Sequence, residues 1–285
     1  MKKLSSAALA MVSCAAVCGL YGPARGDLSV ALAPSQDVTL FGSGAAANNT
    51  GSGPGMFVGS DGTSPKRGII EFNVSAIPAG AHITSATLTL TLGMWAGETS
   101  QGTGGDQTSR TLRLYDVTRG WNPSLQGTTL GTATFPSSGF AGTGHGYSPD
   151  AGDATWNYAM YNTVPWSTPG GDFATVESAD AVVSENQNGA YSWSSTQMAL
   201  DVQGWLDGTL ANDGWLLKND TESATQSFRA FYTEEGAVEQ HVAPYAPSLV
   251  VTYVMVPEPA SLAIWALVVP WMLMDRGRRR MLGRR

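Results

Sequence analysis

The sequence predicts an all-β fold, a single antiparallel β-sandwich, and three observations predict it. Short runs rich in β-branched and aromatic residues alternate with stretches of Thr, Ser and Gly, which is the pattern of strands and turns. From residue 86 the side chains alternate, with Ala86, Leu88, Leu90 and Leu92 on one side and Thr87, Thr89 and Thr91 on the other. Such a period of two gives a strand one buried face and one wet face, as antiparallel sheets have. Residues 110–117 repeat the pattern with Leu112 and Leu114 inward, and no internal repeat or linker divides the region.

Taken in order, the chain opens on Met1-Lys2-Lys3, a positive start. Residues 4–20 are mostly small and apolar, and Ala24-Arg25-Gly26 places small residues at the usual cleavage positions. This predicts a signal peptide over residues 1–26. Both cysteines, Cys14 and Cys18, fall inside it. The exported chain then has neither disulfides nor thiolate metal sites and depends on an apolar core. Residues 27–256 are long enough for one large domain.

Within it, residues 67–74 read as a strand and 77–80 as a turn, with Pro78 pre-set and Gly80 after it. Residues 83–92 and 110–117 are the next strands. Further strands are expected at 191–193, 199–205, 214–218, 227–232 and 248–254. Residues 198–206 read equally as one short helix, because Met198, Val202 and Trp205 share a helical face. Residues 42–55 and 123–153 read as loops, and loops of that length are usually functional or mobile.

Past residue 256 the chain changes character. Pro257-Glu258-Pro259 is followed by fifteen residues without a charge, 260–274, and then by Asp275 and six arginines, Arg276, Arg278, Arg279, Arg280, Arg284 and Arg285. As a helix of about 1.5 Å rise per residue, the apolar stretch covers roughly 22 Å of the ~30 Å hydrocarbon layer, and Pro270 weakens it. Arginines beyond it stay in the cytoplasm and place the preceding chain outside. The tripeptide, apolar stretch and basic end resemble the PEP-CTERM sorting signal of Gram-negative bacteria. The resemblance implies that an exosortase cuts near the tripeptide of residues 257–285. It also implies that a short hydrophobic helix anchors the chain in the membrane before processing, and that the mature protein is cell-surface or extracellular.

Charge narrows the partners. Residues 27–256 hold 7 basic and 21 acidic residues, a formal net charge of −14. That field repels nucleic acid, which is not expected as a partner.

Six phrases then occur in order: 67–80 (RGIIEFNVSAIPAG), 83–90 (ITSATLTL), 114–122 (LYDVTRGWN), 154–158 (ATWNY), 166–173 (WSTPGGDF) and 214–218 (GWLLK). Their order and spacing resemble the DNRLRE domain, also described as carbohydrate-binding module family 96, over roughly residues 38–253. The resemblance implies a jelly-roll β-sandwich of secreted bacterial proteins, attached to polysaccharide-degrading enzymes or to surface proteins, with sugar binding ascribed to some members.

The residues favour binding over catalysis. His82, His145 and His241 are the only histidines, and neither a His-Glu-x-x-His nor a Gly-x-Ser-x-Gly pattern occurs. His82 and His241 flank strands and read as surface or cap residues. Glu234 and Glu235, read as neighbours on a strand, point to opposite faces and do not form an acid/base pair. Sugar rings stack their apolar C–H faces on aromatic rings while their hydroxyls bond nearby polar groups. Seven tryptophans lie within residues 27–256: Trp95, Trp121, Trp156, Trp166, Trp193, Trp205 and Trp215. Trp156, Trp193, Trp205 and Trp215 lie on strand-like or amphipathic phrases and read as core. Trp95 and Trp166, with Tyr147, Tyr158 and Tyr161, sit beside loops and are the expected ligand contacts. Asp150, Asp153, Asp172, Asp213 and Asp220 lie in or beside loops, where a structural calcium ion could take their oxygens. The expected function is an exported, non-catalytic protein that binds extracellular polysaccharide. Its rivals are a structural matrix protein that binds no glycan and a polysaccharide-degrading enzyme.

Overall fold

The computed structural model describes residues 26–42, 53–93, 106, 108–121, 149, 152–184, 189–239 and 241–255. Residues 1–25 of the expected signal peptide, Trp95, His145, Tyr147, Asp150 and the C-terminal signal with Pro257, Glu258, Pro259, Arg276, Arg278, Arg279 and Arg280 lie outside the described residues. Among the described residues no helix is long and apolar enough to cross a membrane.

The main body, residues 29–253, is antiparallel sheet with few helices. Its strands in order are β1 (Leu28–Leu32), β2 (Pro34–Phe41), β3 (Gly55–Ser60), β4 (Pro65–Phe72), β5 (Ala81–Thr91), β6 (Arg110–Val117), β7 (Tyr158–Met160), β8 (Val164–Pro165), β9 (Phe173–Val183), β10 (Ala190–Ser194), β11 (Trp215–Asn219), β12 (Arg229–Tyr232) and β13 (Ser248–Met255). Among the described residues two α-helices interrupt them, α1 (Thr196–Asp207) and α2 (Glu234–Glu239). One sheet runs β1-β13-β5-β10. A seven-stranded sheet runs β12-β3-β4-β11-β6-β9, with β2 also paired to β4, and β7 and β8 form a small hairpin of their own.

The alternation read in β5 orders the core. Ala86, Leu88, Leu90 and Leu92 are all fully buried. Opposite them on the larger sheet stand Leu112, Leu114, Trp215 and Leu217, also fully buried. Trp193 on β10 locks the two layers together. Its indole donates to the Leu112 carbonyl at 2.9 Å and meets Phe231 edge-on at 5.9 Å between ring centroids. Leu92 forms an isolated bridge with Phe231 across the same seam. Burying such side chains contributes about 1.5–3 kcal/mol each before entropy is charged against them.

Residues 198–206 are helix, not strand. Ser195 caps α1 by accepting the Met198 amide at 3.0 Å, and Gly208 ends it in the left-handed region. The helix turns Met198, Val202 and Trp205 inward, and Trp205 packs on Trp215 at 4.4 Å between ring centroids. Both of those indoles donate to buried carboxyls, Trp205 to Asp116 and Trp215 to Asp201, each at 2.9 Å. Burial, with Asp201 and Asp213 nearby, pushes Asp116 up to about 7 despite its bond to Trp205. Gly214 lets β11 start against β4: at φ +76° it accepts a conformation β-carbons disfavour, and a Cβ there would lie 2.2 Å from the Ile70 carbonyl oxygen.

Glu234 and Glu235 are not on a strand. They open the short helix α2 immediately after β12. Asp37 on β2 is nearly solvent-free and feels both: burial first, then Glu235 and Glu234, drive its pKa well up. Burial likewise pushes Glu235 up to about 7.

A second apolar cluster lies on the far face of the larger sheet. Val38, Leu40, Ile69, Val117 and Leu216 carry it, and Trp121, Ala154, Ala159 and Trp166 cover it. The strip 152–173, with the β7–β8 hairpin inside it, therefore forms a third layer over one part of that sheet.

Candidate functional site

Where that third layer rejoins the sheet, it leaves a cleft of about 590 Å³. One wall is the turn 167–171, the floor is the start of β9, and the other wall comes from Arg67 on β4 and from Thr118 and Arg119 just past β6. Two glycines shape the turn. Gly170 (φ +94°) brings the backbone onto Arg67 and Trp156, where a Cβ would lie 2.6 Å from Arg67 Nη1. Gly171 (φ +103°) seats on Leu216, leaving 2.6 Å to its Cδ1 for any Cβ.

Polar groups converge at the mouth. Asp172 accepts from Arg119 Nε, from the Ser167 amide at 3.0 Å and from the Thr168 amide at 3.1 Å. Burial alone would raise its pKa, but the Ser167 amide, the Arg119 guanidinium and the Thr168 amide outweigh burial and hold the carboxyl below its ordinary range. Arg119 Nη2 also donates to Ser167 Oγ at 2.8 Å. Its Nη1 makes no hydrogen bond among the described residues, and the residue lines the cleft.

Phe173, half-buried on the floor, packs on Tyr115 at 5.2 Å between ring centroids. Arg67 stands behind it. Its guanidinium lies 4.8 Å from the Trp156 ring and 5.6 Å from that of Phe173, is held by Glu222 through two bonds of 2.7 and 2.9 Å, and donates to the Gly170 carbonyl. A guanidinium stacked on two rings and clamped by a carboxylate is fixed in place.

The expected ligand contacts divide. Trp166 is a correction: it is only 4% exposed, its indole donates to the Thr155 carbonyl at 2.8 Å, and it belongs to the apolar cluster under the third layer. It cannot stack a sugar. The loop position suggested exposure, yet an indole with an internal acceptor is an economical cover for a sheet face. Tyr158 and Tyr161 are both half-buried and meet edge-on at 5.7 Å between ring centroids. Trp156, read as core, is half-buried and backs the cleft, whereas Trp193, Trp205 and Trp215 are buried as read. His82 and His241 are exposed.

Sequence reasoning did not single out Phe173, Arg119 or Asp172 as a group. The only signal was that Arg119 follows a strand by two residues and that Trp166 and Phe173 share one phrase. Among the described residues no three His, Cys, Asp or Glu side chains could hold a metal ion. Asp172 is engaged by Arg119, Asp153 and Asp213 are buried, and Asp220 accepts from Thr221 Oγ1.

No protein-family model matches the chain, and no curated protein matches it.

Proposed function

We propose that this chain is an exported, non-catalytic surface or extracellular-matrix protein whose sandwich holds polysaccharide in the cleft beside Phe173. The observation that carries the reading is the lining itself: one aromatic ring on the floor, the Arg119 guanidinium, and the hydroxyls of Thr118, Ser167, Thr168 and Thr175 around it. Sugar recognition needs that combination of one apolar platform and several fixed polar groups. The likeness to the DNRLRE domain and its jelly-roll sandwich supports the same reading, and the PEP-CTERM-like end supports sorting by an exosortase after export.

Native gel electrophoresis of the full chain through immobilised polysaccharides tests it. Retarded migration that Phe173→Ala weakens about tenfold is the expected result, and unretarded migration on every glycan would refute it. Release of oligosaccharides from any of these polymers would instead establish an enzyme. Replacing Pro257, Glu258 and Pro259 by alanine should keep the C-terminal segment attached, read as a larger mass of the cell-associated protein.

The rival reading, a structural matrix protein that binds no glycan, has one observation in its favour. Trp166, an indole expected at the surface, is spent on internal packing.

A further inference from the structure

The third layer covers Leu216, on which Gly171 sits. Strand register sets Tyr115 beside Leu216 and Arg113 beside Lys218, so all four share the outer face of the larger sheet. Leu216 and Val117 are buried there, whereas Tyr115, Arg113 and Lys218 are only half-buried. The cover ends between them. β9 also leaves regular pairing at this place. Tyr115 faces Glu177 and Val117 faces Phe173, so residues 174–176 stand against a single residue of β6. A bulge of that kind bends a strand and re-aims its side chains. Here Ala174 and Thr175 line the cleft, and Val176 is 59% exposed.

We infer that the cleft is one end of a groove along β6, in which Phe173 and Tyr115 are successive platforms, so that the ligand is a run of linked sugars and not a single one. The inference rests on the reading of the cleft as a glycan site. The two rings lie 5.2 Å apart between centroids and are tilted by 47°. One flat sugar cannot lie on both, but two sugars joined by a rotatable glycosidic bond can follow the bend. The first rests on Phe173 beside the turn 167–171, and the second on Tyr115. Polar side chains flank the second position: Arg113 paired with Glu177, and Lys218 held by Glu222 at 3.8 Å. The Lys218 ammonium stands 5.6 Å from the centre of the Phe173 ring, between the two positions. Side chains already tied to one another lose little freedom when a sugar arrives. Once the first sugar is seated, the second contact is intramolecular and multiplies the affinity.

Gel retardation of the full chain, in a neutral detergent, on galactomannan, mixed-linkage β-glucan, dextran and polygalacturonate identifies the polymer that holds it. Partial hydrolysis of that polymer supplies two competitors, its single sugar and its four-residue oligomer. The oligomer should release the wild-type chain at a concentration about tenfold or more below that of the single sugar. Tyr115→Leu keeps an apolar cover beside Phe173 but no flat ring. It should raise the oligomer concentration needed by about tenfold and leave that of the single sugar unchanged. Tyr115→Phe should keep both values. Should Tyr115→Leu fail to fold, Arg113→Gln, at a side chain 35% exposed, tests the same end and should weaken the oligomer alone. A folded Tyr115→Leu chain with the wild-type length dependence overturns the groove, and a loss of retention in Phe173→Ala would then leave the cleft reading intact. Retardation on none of the four polymers overturns the groove together with the reading beneath it.

Discussion

Among single side chains, Phe173 and Trp166 exchange the roles their positions suggest. Phe173 is half-buried and forms the floor of the cleft, whereas Trp166 is nearly solvent-free beneath the third layer. Their substitutions should therefore separate binding from stability. Phe173→Ala should cut retention on a bound glycan about tenfold, the worth of one aromatic platform, and lower Tm by only a few degrees. Trp166→Ala should cost about 3–5 kcal/mol, seen as a lower urea midpoint, because it opens a cavity and strands the Thr155 carbonyl. A Trp166→Ala variant with an unchanged midpoint would show that Trp166 does not anchor the third layer. Both roles were hard to read from the chain alone. Burial of an indole next to a loop depends on which sheet face the loop folds over, and no local pattern encodes that.

The elements divide along the same line. β5 and β6 were legible because their alternation extends over several residues and one face meets the core throughout. β3 was not, since all six of its residues are buried and no alternation survives. α2 is six residues long, too short for a helical period to show, so Glu234 and Glu235 read as strand neighbours. α1 was ambiguous until its cap decided it: Ser195 accepts the Met198 amide and also donates to the Ser178 carbonyl on β9. Ser195→Ala should cost about 1 kcal/mol or more, measured as a shift in chemical midpoint with an unchanged m-value. The cleft was illegible for a different reason. Its parts come from residue 67, residues 118–119 and residues 167–175, which only strand register brings together.

At the scale of the whole molecule, charge and pH govern stability. Glu71, Asp116 and Glu235 are each pushed up to about 7, burial being the leading cause in all three. Such groups bind protons in the folded state that the unfolded chain has already lost. Their contribution is complete below the ordinary carboxyl range and is lost as pH rises through about 7. Asp106, lowered to about 2, and Asp172, lowered as well, act in the opposite sense. Burial opposes both shifts, but the bonds to Arg110 and the Thr108 amide, and to the Ser167 amide and Arg119, prevail. Their contribution is present above the ordinary range and lost as pH falls below it. Thermal melts should therefore peak near pH 4–5 and fall by about 5 °C or more by pH 8. A Tm that climbs steadily from pH 5 to pH 8 would show those three carboxyls to be ionised in the fold.

The strip 152–173 covers a single face of the larger sheet and ends on the first residue of β9. It is a cassette. Transplanting another sequence into it, with Trp166 and the Gly170–Gly171 corner kept, would re-specify what the protein grips and leave the two-sheet body beneath it as it is.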